Sequence, residues 1–209
     1  VMHFLILRGV HGAAVLNAIT TVAKVLPLLL FLVFVLLAFQ TPVFTAAMRR
    51  VVFAPYWNVP PSIARNEILP KLRRDPGYLG REEMEIVGVS GGGVLPPTAA
   101  VLAELAQGSV QLRQRPGAKN ALGRVKFLFP NRHNVYLHDT PSRSLFQRAR
   151  RDFSHGCIRV ADAAGLARWV LGAEGWDAER VDRMLADGVH ATVELQAPIP
   201  VVIAYTTAV

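Results

Sequence analysis

The chain has 209 residues, 52% apolar and 18% charged, which is enough for one domain with an appended segment and too apolar for disorder. Its single cysteine, Cys157, excludes a disulfide framework and a cysteine-rich structural zinc site. The formal charge is +8, and residues 41–209 hold 21 of the 23 Lys/Arg and all 15 Asp/Glu, so the body is basic. Such a body fits a polyanionic neighbour (nucleic acid, an anionic membrane or an acidic wall polymer), although a solvated basic surface is the simpler reading of charge alone.

Residues Val25 to Phe39 carry no polar side chain, and extension to Thr21 gives nineteen residues with Lys24 near one end. A bilayer core needs about 20 apolar helical residues, so residues 21–39 predict one membrane span. Lys24 snorkels to the interface, and Pro27 sits near the start where it costs least. A cleaved signal is the competing reading, with Thr45-Ala46-Ala47 a weak cleavage site. An uncleaved anchor is preferred to a signal, and both to a core helix. Arg8 and Lys24 on one side and Arg49 and Arg50 on the other leave orientation undecided.

From Thr41 the pattern is mixed. Arg50–Phe53 reads as a strand. Pro60-Pro61 opens a helix over Ser62 to Leu69, which Pro70 disrupts. Asp75-Pro76-Gly77 is a turn, and Ser90 to Pro97 is the best internal linker. Thr98 caps a short helix ending at Gly108. Val110–Gln114, Val125–Phe129 and Val135–Leu137 read as strands. Asp162 caps a helix with Leu166, Trp169 and Val170 on one side. Asp177 caps another, with Val181, Met184 and Leu185 inward and Gly188 as the stop. Val189 to Leu195 alternates as a half-buried strand, and Val201–Tyr205 reads as a more fully buried one.

The chemistry centres on Phe153 to Val160, FSHGCIRV. A thiol is a poor nucleophile until deprotonated, and an adjacent imidazole can take its proton. Gly156 permits a sharp turn, which can aim N–H groups near Cys157 at an oxyanion. If Cys157 starts a strand, Arg159 lies on its face and adds positive potential. His138 follows a strand, a natural place for a base. The residues alone leave other readings open: a buried cysteine acting as a small hydrophobe, structural histidines, or a catalytic zinc on His138, His155 and Cys157.

The pattern His138…Ser154-His155-Gly156-Cys157-Ile158-Arg159-Val160 resembles the active-site signature of the L,D-transpeptidases, the YkuD-type catalytic domain. Thr41–Leu79 and Arg115–Phe146 are similar to its larger periplasmic members, which carry an inserted subdomain. The resemblance implies an α+β fold, mainly β: a β-sandwich with a small helical and loop insertion at approximately 54–110, here with an N-terminal hydrophobic helix. Residues 1–40 are the anchor or non-family sequence, and 41–209 the catalytic domain.

It also implies a mechanism. Cys157 attacks a peptidoglycan stem tetrapeptide at the carbonyl of its third residue, the terminal D-alanine leaves, and a second stem's amine resolves the thioester into a 3→3 cross-link. His138 is the base, oriented by the Asp139 carbonyl. His155 shapes the pocket, backbone N–H groups around His155, Gly156 and Cys157 form the oxyanion site, and Arg159 supports it or meets a carboxylate. Substrate contacts are expected from Tyr56, Trp57, Asn58, Tyr136, Asp139 and Ser154, although Tyr56 and Trp57 fit a core or interface role equally well. No metal or organic cofactor is required, and the partners are stem peptides and the inner membrane through residues 21–39, not nucleic acid. The family usually has strands before the TPVF segment and continues beyond Val209, so the chain is read as either a short anchored form or a product truncated at both ends, the latter being preferred. An L,D-carboxypeptidase or endopeptidase with the same site, and an inactive tethered remnant, are the alternatives.

Overall fold

The computed structural model describes residues 21–29, 42–89, 93–148 and 156–204. Residues 21–29 are helical, and among the described residues no helix is long and apolar enough to cross a membrane. Residues 30–39 of the expected span lie outside them. Residues 1–40 and 41–209 separate into two units.

In the second unit a five-stranded sheet has the order β8-β7-β6-β1-β9. Its strands are β1 (Phe44–Phe53), β6 (Val125–Leu128), β7 (Leu137–His138), β8 (Ile158–Arg159) and β9 (Ala191–Ile203). β7 and β8 are parallel, and the other neighbours antiparallel. One face is apolar: Val51, Phe53, Val125 and Phe127 pack with Ala163, Ala167, Val170 and Leu171 of helix Ala163–Gly172 and with Val181 and Leu185 of helix Ala178–Asp187. Both helices start at the expected caps, with Asp162 accepting from the Gly165 N–H at 2.8 Å and Asp177 from the Arg180 N–H at 2.7 Å.

A second core lies between Trp57 and Gln114. The four-stranded sheet here has the order β2-β5-β3-β4: β2 (Trp57–Asn58), β3 (Met84–Gly88), β4 (Val94–Leu95) and β5 (Val110–Gln114). Ile86 and Leu112 of this sheet pack with Ile63, Leu69 and Leu72 of a helical segment and with Leu105 of helix Ala99–Gln107. The latter is capped by Thr98 and stopped by a left-handed Gly108.

Several expectations are corrected. Pro70 does not end its helix, which continues to Arg74. The preceding Ala64–Ile68 is a π-turn in which the Leu69 N–H reaches back to the Ala64 carbonyl, and this widening accommodates the proline ring. Val94–Leu95, within the expected linker, pairs with Ile86 and Val87. Trp169 is 66% exposed, because the buried stripe of its helix runs through Ala163, Ala167 and Val170 instead. The two strands expected here are one strand, Ala191–Ile203, with Tyr205 outside the described residues, and its Val201–Ile203 part alternates half-buried with exposed rather than being more buried. Its register breaks opposite Met48–Arg50, where the Glu174 carboxylate accepts from the freed Gln196 and Ala197 N–H groups. β1 begins at Phe44, so the weak cleavage site Thr45–Ala47 lies within a paired strand.

The connection from β5 to β6 is held by a fully buried Asn120. Its amide donates to the Pro55 carbonyl at 2.9 Å and the Arg115 carbonyl at 2.8 Å, and its oxygen accepts from the Leu122 N–H at 2.8 Å. Asn120→Ala strands these groups, and we expect a loss of roughly 3 kcal/mol. Urea titration checks this, and a loss under about 1 kcal/mol contradicts the stapling role.

Candidate active site

The ladder β6-β7-β8 sets the site. Lys126 pairs with His138 and His138 with Arg159, so the three side chains share one face, opposite the helix-packed one. The Ile158 N–H donates to the Tyr136 carbonyl at 3.1 Å, and one step back along this ladder Cys157 falls beside Tyr136. His138 is thus the diagonal neighbour of Cys157, within reach of a long side chain. On β1, Arg50 pairs with Leu128 and lies on this same face.

His138 is 4% exposed. Its Nδ1 lies 2.5 Å from the Asp139 carbonyl oxygen, which only accepts, so Nδ1 carries the proton and Nε2 is left as the acceptor. Burial pushes the imidazole down to about 4, the Asp139 carbonyl opposes this, and the Arg159 charge reinforces it. The ring is therefore neutral at neutral pH.

Cys157 is half-buried, its sulfur 3.9 Å from the Asn134 carbonyl. Burial pushes the thiol up, while the Tyr136 backbone and hydroxyl, Arg159 and Lys126 pull towards the thiolate. Burial also raises the Tyr136 phenol, with Cys157 adding to the effect, so the phenol keeps its proton as a donor. Gly156 has φ +113°, a conformation that side chains rarely adopt, which places the turn into Cys157 at the glycine.

The loop before β7 is built by Asn131, whose amide donates to the Phe129 and Val135 carbonyls at 2.7 Å each. Asn134 follows at φ 53°, which aims its carbonyl at the sulfur. A cavity of about 300 Å³ opens beside this loop, with Arg50, Leu128, Asn134 and Tyr136 among its walls.

The other expected residues divide. Arg159 Nε is buried with no hydrogen-bond partner among the described residues. Asp139 is 5% exposed and its carboxylate accepts from the Arg124 N–H at 3.0 Å, so its side chain holds the 123–124 turn and its carbonyl holds the imidazole. Gly123, at φ +63°, admits that carboxylate where a Cβ would clash. Tyr56 meets the Arg113 guanidinium at 4.5 Å and His190 at 5.3 Å, Trp57 packs on the second core, and Asn58 is exposed, opposite Arg113. None of these contacts is with Cys157 or His138. Ser154 and His155 lie outside the described residues, and with them the zinc reading. Lys126 was not foreseen. In sequence it is one polar position in an alternating strand, and only the strand order sets it beside His138.

The α+β domain that carries this site has known relatives. Residues 36–203 match the family model described as YkuD, the L,D-transpeptidase catalytic domain, and the chain belongs to that family. It is 35% identical over 170 residues to a Haemophilus influenzae protein named "Putative L,D-transpeptidase". The alignment covers 81% of this chain and 34% of that protein, so the chain spans about a third of its relative. Over 45 residues it is 56% identical to an "Arginine/ornithine antiporter" of Pseudomonas aeruginosa, covering 22% of this chain and 9% of that one.

The depressed His138 has a stability consequence. The unfolded ring takes its proton near 6.5 and the folded ring near 4, so stability is full above pH 6.5 and falls as pH drops through this window. The shift corresponds to roughly 3 kcal/mol. Urea titrations of wild type and His138→Gln between pH 7 and 4 should differ by a component of this size and sign; a flat difference contradicts the buried neutral ring.

Proposed function

We propose that this domain is a peptidoglycan L,D-transpeptidase that works through a Cys157 thioester. The observation that carries the proposal is the shared sheet face of Cys157, Tyr136, His138 and Arg159, with His138 Nδ1 engaged by the Asp139 carbonyl so that Nε2 is the free base. In the resting site both thiol and imidazole are neutral. As the sulfur bonds to the carbonyl carbon of the third stem residue, the thiol proton passes to Nε2. Arg159 and Lys126 stabilise the negative charge on sulfur as it develops, and backbone N–H groups around Gly156 and Cys157 serve the oxyanion. An imidazolium in a site that disfavours it is a strong acid, so it readily protonates the departing D-alanine amine. The side-chain amine of a second stem then attacks the thioester, giving the 3→3 linkage and restoring the thiol. His155 and Ser154 complete the pocket by family resemblance.

The substrate places the domain in the cell envelope. Anchoring through residues 21–39 rests on their apolar sequence, of which the helical 21–29 is too short to span alone.

Incubation with tetrapeptide muropeptides tests the assignment. Dimers with 3→3 linkage are expected; shortened monomers alone mean that water is the acceptor. Intact mass should show a covalent carbapenem adduct on wild type and none on Cys157→Ala. His138→Ala should slow acylation by ~10²–10⁴-fold. An unchanged rate removes His138 from the base role, and no adduct on folded protein favours an inactive remnant.

A further inference from the structure

Lys126 is a half-buried ammonium without a salt-bridge partner among the described residues. Its Nζ lies 5.9 Å from the Tyr136 ring centroid, and its backbone pairs with His138. Burial and the Arg50 charge push it down, while Cys157 opposes this. Arg50 stands two residues along the same face, tied at 3.6 Å to Glu194, which is 70% exposed. Arg159 lies on the other side of His138, with Nε buried and unbonded among the described residues. This face of the sheet thus presents cations on β1, β6 and β8, of which Lys126 and Arg159 act on the thiol and Arg50 acts on Lys126, and the acid paired with Arg50 sits largely in solvent. Desolvating cations without an anion is costly unless a ligand supplies the anion. A cavity of about 300 Å³ has Arg50 and Tyr136 among its walls, together with Asn134, whose carbonyl lies 3.9 Å from the sulfur.

We propose that Lys126, flanked by Arg50, is a carboxylate-binding subsite that seats a free carboxylate of the donor peptide beside the bond Cys157 attacks. This deepens the acyl-transfer reading and rests on it for the identity of the donor. Two carboxylates of such a donor have the required chemistry: that of the leaving terminal residue and that on the side chain of the diamino acid. Lys126 then acts as a substrate-binding residue that selects anionic donors, and the bound anion supplies the counter-charge that Lys126 lacks among the described residues.

The full chain serves for the test, as wild type, Lys126→Met and Lys126→Arg. The first readout is the ratio of Cys157 alkylation rates by iodoacetate and iodoacetamide, which cancels changes in thiol ionisation and needs no peptidoglycan. We expect the ratio to fall on the order of tenfold in Lys126→Met and to persist in Lys126→Arg, as for the loss of a charged hydrogen bond. An unchanged ratio in folded Lys126→Met overturns the subsite. The second readout uses wild type alone, so an unfolded variant does not remove the test. Converting the bound carboxylate of the donor to an amide should lower kcat/KM by a similar factor, and comparison of the two amides identifies which carboxylate is held. If neither amide matters, the subsite is wrong. If no donor is turned over while the alkylation ratio still responds to Lys126, the subsite stands and the acyl-transfer reading fails.

Discussion

The register of three short strands is the constraint on which the site depends. Lys126 opposite His138, and His138 opposite Arg159, put a cation, a base and a second cation in a row across the sheet. A slip of one residue would turn the row into the helix-packed face and expose its apolar neighbours. Val125, Phe127, Leu137 and Ile158 alternate with the site residues and pack in or against the core, so burial of one face fixes the chemistry of the other. With β7 and β8 only two residues each, the ladder alone cannot hold this register. The Asn131 and Asn120 amides, which tie neighbouring loops to backbone carbonyls, supply local support.

The same burial sets the electrostatics. Removing water from His138 and Cys157 favours the neutral form of each, and the surrounding cations then act oppositely on the pair. Arg159 makes the imidazolium harder to form and the thiolate easier. The site therefore disfavours an ion pair between His138 and Cys157.

Local chemistry was the legible part of the sequence. Thr98, Asp162 and Asp177 as caps, Gly108 and Gly188 as stops, and the alternation of Val110–Gln114 depend on residues within a few positions of each other, and the structure carries all of them. The cysteine and the histidines stood out because the chain has one Cys and six His, and Gly156 because it directly precedes that cysteine. What depended on distant partners was not legible. Pro70 reads as a break unless a widened turn precedes it. Trp169 reads as core because an indole outweighs Ala163 and Ala167 in any apolar count, yet small residues are what let the helix approach the sheet. Lys126 became a site residue only once β6 was known to lie between β1 and β7. The aromatic segment Tyr56–Trp57 shows the reverse: family resemblance drew it to the cleft, while its observed contacts are with Arg113, His190 and the second core.

In this site a neutral imidazole, protonated on Nδ1, shares a sheet face with a protonated thiol. Nitrogen-15 NMR of the histidine rings, recorded from pH 4 to 9 with His138→Gln for assignment, addresses it directly. His138 should show a protonated Nδ1 and a bare Nε2 throughout the neutral range, charging only as pH falls towards about 4. Charging near pH 6.5, or a proton resting on Nε2 at neutral pH, would contradict the account.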